Sequence, residues 1–398
     1  MKKYGVLLLL LLLTGCKFYD EYKMPEEVNI ELNENKFEVY SEHTISDLIS
    51  DSNVEITNED IELNTNKIGE KEVEIEYKYN KRDYKYIVNY EVIDTEAPFV
   101  IRLSTYRSIL VNEDIDFCEG FSAIDNYDRE PTCSVVGDYD LSKPGEYDLK
   151  FEIKDKSGNV TNEDLTLVVY KEWPKSDSYD DDDDEDEEEQ YTKFSDLKKK
   201  YKNKDVMLGI DVSFWQGDID FESVKAAGAD FVIIRMAYSD TETEIELDSK
   251  FEQNLKNAKA AGLKVGVYVY TSANTKKEAI KQAKFIKKHL NKVELDFPIA
   301  YDFEDWRDFN SLKMNSHDLL ERVNEYKSIL KEDGYDMMIY GSKWYLENVW
   351  LENDYDTWLA HYTDETNYKG DYILWQLCND GLIDGIYGYV DIDIYYKK

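Results

Sequence analysis

Between Gly209 and Tyr396 short apolar runs alternate with amphipathic helical patterns, and no other feature restricts the fold of this chain as strongly. After the run that opens at Gly209, strand-like runs fall at 231–237, 264–270, 298–304, 337–342, 357–362, 372–377 and 389–396. Helical patterns occupy 221–227, 250–261, 275–290 and 317–332, and Gly228, Gly262 and Gly334 stand where helices should stop. Repeated β-then-α units predict a parallel sheet with helices outside it, and eight strands suffice to close a barrel. In such a barrel the C-terminal strand ends carry the site.

Acidic residues collect at those ends. Phe297-Pro298-Ile299-Ala300 runs into Tyr301-Asp302-Phe303-Glu304. On a strand the period of two puts Asp302 and Glu304 on one face, with Cα atoms about 6.5–7 Å apart. Two carboxyls that close cannot both ionise freely, so one is held protonated near neutral pH. That is the equipment of glycosidic-bond cleavage. Alone, the pair would equally suit a solvated or metal-holding role. The run GIDVSFWQG adds Asp211 where its strand ends, and YVDIDIYY places Asp391 and Asp393 on a common face.

Aromatic residues accompany the acids. Tyr268 and Tyr270 share one strand face, Trp358 and Tyr362 another, and Tyr340 and Trp375 lie near two further strand ends. Flat rings suit sugar faces, and tyrosine hydroxyls can bond sugar substituents. The competing reading is that these rings fill the barrel. Trp215, after the first strand, fits packing as well as sugar contact.

GIDVSFWQG, DSKFEQNLKNAKAAGLKVGVYVY, FPIAYDFE, TWLAHY and WQLCNDGLIDGIYGYVDID occur in the order seen in glycoside hydrolase family 25, which residues 205–398 resemble. The resemblance implies a multidomain chain ending in an α/β modified TIM-type barrel of five β/α units plus three strands. It implies hydrolysis of the β-1,4 bond between N-acetylmuramic acid and N-acetylglucosamine, without a cofactor. By the same resemblance Glu304 is the general acid, Asp302 orients the substrate acetamido group, and Asp211 and Asp391 complete the acidic wall. Asp391 is preferred to Asp393 as the terminal acid because it follows Val390, although the period of two leaves Asp393 open. The chain departs from the family after Arg235-Met236-Ala237, where Tyr238-Ser239-Asp240-Thr241-Glu242 begins an acidic, glycine-free loop in place of the usual acidic-glycine turn.

Lys2 and Lys3 precede the apolar run 6–13, too short to span a bilayer and shaped like a secretory signal. Leu13-Thr14-Gly15-Cys16 resembles a bacterial lipobox, implying a signal peptide over 1–16, lipid on Cys16 and a place outside the cytoplasmic membrane, anchored by acyl chains. Export permits Cys118 and Cys133 to bridge, and leaves Cys378 as a small buried hydrophobe. His43, His289, His317 and His361 show no metal-ligand spacing, so no metal is expected.

Residues 27–94 and 95–171 read as two all-β sandwich modules. IGEKEVEIEY and PGEYDLKFEI look like copies of one element, each followed by a turn and another strand. The second module, with DTEAP, DNYDREPTC and DKSGNVT, resembles bacterial immunoglobulin-like domains, many of which are spacers. Residues 172–204 read as a linker and lead-in, because the unbroken acidic run 180–189 repels itself.

The 398-residue chain carries a formal net charge of −38, which argues against nucleic acid and against attraction to anionic wall polymers. Peptidoglycan recognition must then rest on local stacking and hydrogen bonds, and a monomer is expected. Two other functions fit parts of the pattern: a non-catalytic wall-glycan-binding lipoprotein, and a metal-dependent phosphodiesterase on a similar barrel.

Overall fold

A computed structural model describes residues 24–174, 191–239, 244–304 and 309–396, with the side chains of 310 and 311 excepted. The signal segment with Cys16, the acidic run 180–189 and residues 240–242 of the departing loop lie outside these residues. The chain forms two compact units, Met1–Glu96 and Ala97–Lys398.

Eight strands close the barrel of the second unit. They are β1 (Val206–Val212), β2 (Phe231–Tyr238), β3 (Lys264–Tyr270), β4 (Ile299–Asp302), β5 (Met337–Ser342), β6 (Asp356–Ala360), β7 (Leu374–Leu382) and β8 (Val390–Tyr396). Strands β1 to β7 pair in parallel in chain order, whereas β8 runs antiparallel to both β7 and β1 and closes the ring. The parallel sheet read from the repeated β/α units holds for β1 to β7, and only this last strand departs from it. Residues 383–389 are too few for the crossover that a parallel partner needs, so the chain turns back as a hairpin.

Helices α1 (Phe221–Ala226), α2 (Phe251–Ala260), α3 (Lys276–Leu290), α4 (Ser316–Leu330) and α5 (Lys343–Asn348) follow the first five strands, giving five β/α units and three further strands. Their starts are written in the sequence. Thr275 accepts from the Glu278 amide while Glu278 returns to the Thr275 amide, and Asn315 and Asp318 repeat the arrangement on α4. Gly334, at φ 87°, ends the turn after α4 in a left-handed conformation suited to glycine.

Strand parity divides the apolar residues into two layers. Val232, Ile234, Val265, Val267, Ile299 and Ile339 pack outward toward the helices, while Phe231, Ile233, Ala300, Met338 and Trp358 fill the barrel. Gly209 and Gly266 make room for that filling: a Cβ on Gly209 would lie 2.5 Å from the Phe231 ring, and one on Gly266 the same distance from Ile233.

The same unit contains the second β module. Its sheet runs in the order Thr132–Val136, Gly145–Lys154, Val160–Tyr170, Tyr106–Leu110, and Phe99–Arg102 pairs with Ser122–Ile124. Cys118 and Cys133 are joined, with Cα atoms 6.1 Å apart. The sequence places a linker between module and enzyme, yet the module packs directly on the barrel. Ile124 joins the outer core, Phe99 lies 5.3 Å from Trp344, Asn315 Nδ2 donates to the Tyr127 carbonyl at 2.7 Å, and Arg129 grips Asp318 with two N–H groups.

The first unit, described by itself, carries a four-stranded sheet in the order Lys36–Glu38, Arg82–Ile93, Gly69–Tyr79, Glu55–Ile56, and a two-stranded ribbon of Ile30–Leu32 and Ile49–Ser52. Among the described residues no helix is long and apolar enough to cross a membrane.

Candidate active site

Parity that sends valines outward sends polar residues into the mouth of the barrel. Asp211 enters from β1, Arg235 from β2, Tyr268 and Tyr270 from β3, Asp302 from β4, Tyr340 from β5, Trp358 from β6 and Gln376 from β7. Asp391 stands at the start of β8, opposite Asp211. Because β8 is antiparallel, its beginning lies at the same end as the other strands' C-termini. Strand β4 stops at Asp302, so Glu304 sits just past the strand rather than on it as the period of two predicts.

Burial sets the electrostatics. Glu304 is pushed up to about 7, first by burial and then by the charge of Asp391. Asp391 rises to about 6 through burial. Asp302 is held well above the ordinary carboxyl range by burial and by Glu304, with Arg235 opposing. Asp211 is also raised well above that range by burial, then by Asp391 and Asp393. The mouth therefore holds a carboxyl whose proton affinity is raised toward neutral pH.

One residue that sequence reading missed connects much of the wall. Gln376 donates through Nε2 to Asp211 Oδ2 at 2.7 Å, and its Oε1 accepts from the hydroxyls of Tyr340 at 2.9 Å and Tyr362 at 3.1 Å. Its amide thereby fixes one acid and two aromatic rings together. Arg235 was missed as well; its Nε donates to the buried Asp248 at 2.8 Å, and its guanidinium lies 4.8 Å from the Phe214 ring centre. Two signals pointed to them: Gln376 shares the inward parity of β7, and Arg235 is a lone cation in an apolar strand.

The aromatic expectations divide. Tyr268 and Tyr340 pack edge-on against Trp358, at 5.9 and 4.7 Å between ring centres, so these rings line the interior beneath the acids. Tyr362 is half exposed and reaches the site through its hydroxyl. Trp375 is a correction: it faces outward, buried in the layer between sheet and helices, with Nε1 donating to the His361 carbonyl at 2.9 Å. Its neighbour Gln376 takes the inward position. Trp215 is 75% exposed, so it is not a packing residue, and its ring lies 4.4 Å from Phe214. Cys378 is buried and its thiol is pushed up to about 12, which suits a small hydrophobe rather than a nucleophile.

A barrel mouth with a near-neutral carboxyl among other acids and flat rings defines a glycoside hydrolase. The family model for glycosyl hydrolases family 25 matches residues 210–386. The uncharacterized protein YegX of Escherichia coli K12 is 31% identical over 193 residues, covering 47% of this chain and 68% of that protein. The autolytic lysozyme of Clostridium acetobutylicum is 29% identical over 190 residues, 47% of this chain, and the chain spans about half of that relative, 55% of its length. Among solved structures, the modular autolysin LytC from Streptococcus pneumoniae, in complex with a synthetic peptidoglycan ligand, aligns at a TM-score of 0.43 and 24% identity over 62% of this chain and 56% of that one. A family 25 glycosyl hydrolase from Bacillus anthracis aligns at 0.42 and 19%, over 48% and 89%. Through its C-terminal half the chain belongs to glycosyl hydrolases family 25.

Proposed function

We propose that this protein is a peptidoglycan hydrolase that cleaves the β-1,4 bond between N-acetylmuramic acid and N-acetylglucosamine. The observation that carries the reading is the Glu304 carboxyl, raised to about 7 in a mouth shared with Asp302, Asp391 and Asp211. Glu304 gives its proton to the glycosidic oxygen as the C–O bond breaks. The substrate's acetamido oxygen attacks the anomeric carbon from the other side, and water later opens the resulting ring with retention. Asp302 orients that acetamido group from the end of β4, where its buried Oδ1 has no hydrogen-bond partner among the described residues. The charge of Asp391 supports positive charge building at the sugar carbon.

The family relationship and the autolytic lysozyme among the relatives support this choice of bond over phosphodiester chemistry. A wall-binding protein without catalysis is disfavoured by the retention of Asp211, Asp302 and Glu304 together. Anchoring is proposed on the Leu13–Cys16 lipobox, which would hold the enzyme on the outer face of the cytoplasmic membrane, within reach of the wall. Digestion of purified peptidoglycan followed by mass analysis of the muropeptides tests the bond assignment. Products with N-acetylmuramic acid at the reducing end are expected; N-acetylglucosamine at that end would overturn it.

A further inference from the structure

Among the described residues of the barrel, 206–396, every exposed large apolar side chain is aromatic: Trp215, Trp344, Tyr362, Tyr387 and Tyr389. Trp344, on α5, lies against Phe99 of the second β module. The other four stand in loops at the mouth, Trp215 after β1, Tyr362 after β6, and Tyr387 and Tyr389 in the turn that leads from β7 into β8. Single exposed apolar residues need no explanation, but here the large aliphatic ones are all covered and the aromatic ones gather at one end of the barrel. Tyr362 already belongs to the site through Gln376. Trp215, Tyr387 and Tyr389 have no part in the hydrolysis as described.

The two loops that carry these three rings are held from below and joined to each other. Ser213 N donates to Gln216 Oε1 at 2.9 Å and Phe214 N to Asp248 Oδ2 at 3.1 Å, so the turn bearing Trp215 is fixed by the same acid that holds Arg235. In the turn before β8, Ile383 is buried and Ile386 packs on the outer core, whereas Tyr387 is 99% exposed. Asp220 N donates to the Gly385 carbonyl at 2.9 Å, which ties the loop after β1 to this turn. A Cβ on Gly385 would lie 2.4 Å from the Asp220 carbonyl oxygen, so glycine is what permits the approach. Tyr389 precedes Asp391 by two residues, which continues the aromatic rim into the acidic wall. A ring with a polar tip offers a flat face to a sugar and a hydrogen bond to its substituents, and continuity with the cleft selects glycan as the occupant.

We infer that Trp215, Tyr387 and Tyr389 form a stacking shelf on the β8–β1 side of the mouth, which takes N-acetylated sugars of the glycan strand beyond the pair being cut and so favours long strands over short ones. The identity of the strand rests on the hydrolase reading, and the test separates the two. Binding of a disaccharide and of a hexasaccharide of alternating N-acetylglucosamine and N-acetylmuramic acid is measured by calorimetry on full-length Glu304→Gln, alone and combined with Trp215→Ala or with Tyr387→Ala/Tyr389→Ala. The hexasaccharide should bind more tightly than the disaccharide, and each combination should weaken the hexasaccharide by about 10-fold in Kd while leaving the disaccharide unchanged. Tyr387→Phe/Tyr389→Phe keeps both rings and should keep the preference for length; its loss there would overturn stacking as the cause. Equal binding of the two lengths to Glu304→Gln, or hexasaccharide binding that neither combination weakens, would overturn the shelf. If the rings govern hexasaccharide binding but the parent protein releases no muropeptides from peptidoglycan, the shelf stands and the hydrolase reading fails.

Discussion

Glu304 owes its proton to burial first and to Asp391 second, and both causes make testable demands. As the general acid it must be protonated, so kcat/KM should fall as pH rises through about 7. Asp391→Asn removes the second cause and should shift that alkaline limb to lower pH; a limb that stays put would contradict the coupling. The same shift has a stability consequence. A carboxyl held at about 7 in the folded state, against an ordinary 4.5, is protonated when folded and ionised when unfolded over that window. Its stabilising contribution is full below the unfolded value and lost as pH rises through the folded one, so Tm should fall from about pH 5 to about pH 8. Glu304→Gln should flatten that fall, and an unchanged slope would show that other groups dominate. At this scale the acids could be read from the sequence because each stands beside an apolar run whose parity is plain. Gln376 was passed over although strand parity points to it, because an amide between Trp375 and Leu377 carries no charge signal and the neighbouring indole drew the assignment. Gln376→Leu leaves the Tyr340 and Tyr362 hydroxyls and Asp211 short of a partner, and should cost about 1–3 kcal/mol of stability by denaturant titration.

Helix and strand positions followed closely from apolar periodicity and caps, but the direction of the last strand did not. Periodicity describes one segment at a time, whereas the direction of β8 depends on the connection before it. The short span 383–389 and the absence of a helical pattern within it were the available signals. The small helix α5 is as short as α1 but escaped because Val349, not a glycine, follows it, whereas Gly228 marks the end of α1. In the second β module the Cys118–Cys133 bridge, with a sequence separation of 15, should contribute about 3 kcal/mol in the chain-entropy model. A Cys118→Ala/Cys133→Ala pair that unfolds at the parent denaturant midpoint would remove that claim. The contact between module and α4 is a second testable element. Arg129→Ala takes two N–H donors from Asp318, a largely buried side chain, and leaves Arg322 at 3.6 Å as its remaining cation. A loss of about 1–3 kcal/mol is expected from denaturant unfolding of the Ala97–Lys398 unit.

In the whole molecule, the module at 97–171 is part of the body that carries the enzyme, not a bead held away from it. The sequence concealed this because a docking surface of single residues such as Ile124, Phe99 and Arg129 has no period, while the acidic run between the domains is conspicuous. That run carries ten of the acids, but the rest of the chain is strongly acidic too, and the net charge of −38 disfavours electrostatic attraction to anionic partners. The proposed anchor predicts that Cys16→Ala abolishes acylation and moves the protein out of the membrane fraction or leaves an unprocessed precursor. Fatty-acid labelling that survives the replacement would contradict it. The central claim is that Glu304 supplies the proton for glycosidic cleavage, and the most direct measurement is release of reducing ends from purified peptidoglycan by Glu304→Gln, shown to be folded by circular dichroism. Glutamine keeps the size and hydrogen-bonding capacity but lacks the acidic proton, so the rate should drop by about 10²–10⁴-fold while glycan binding persists. A folded variant that retains more than about a tenth of the parent rate would contradict the account.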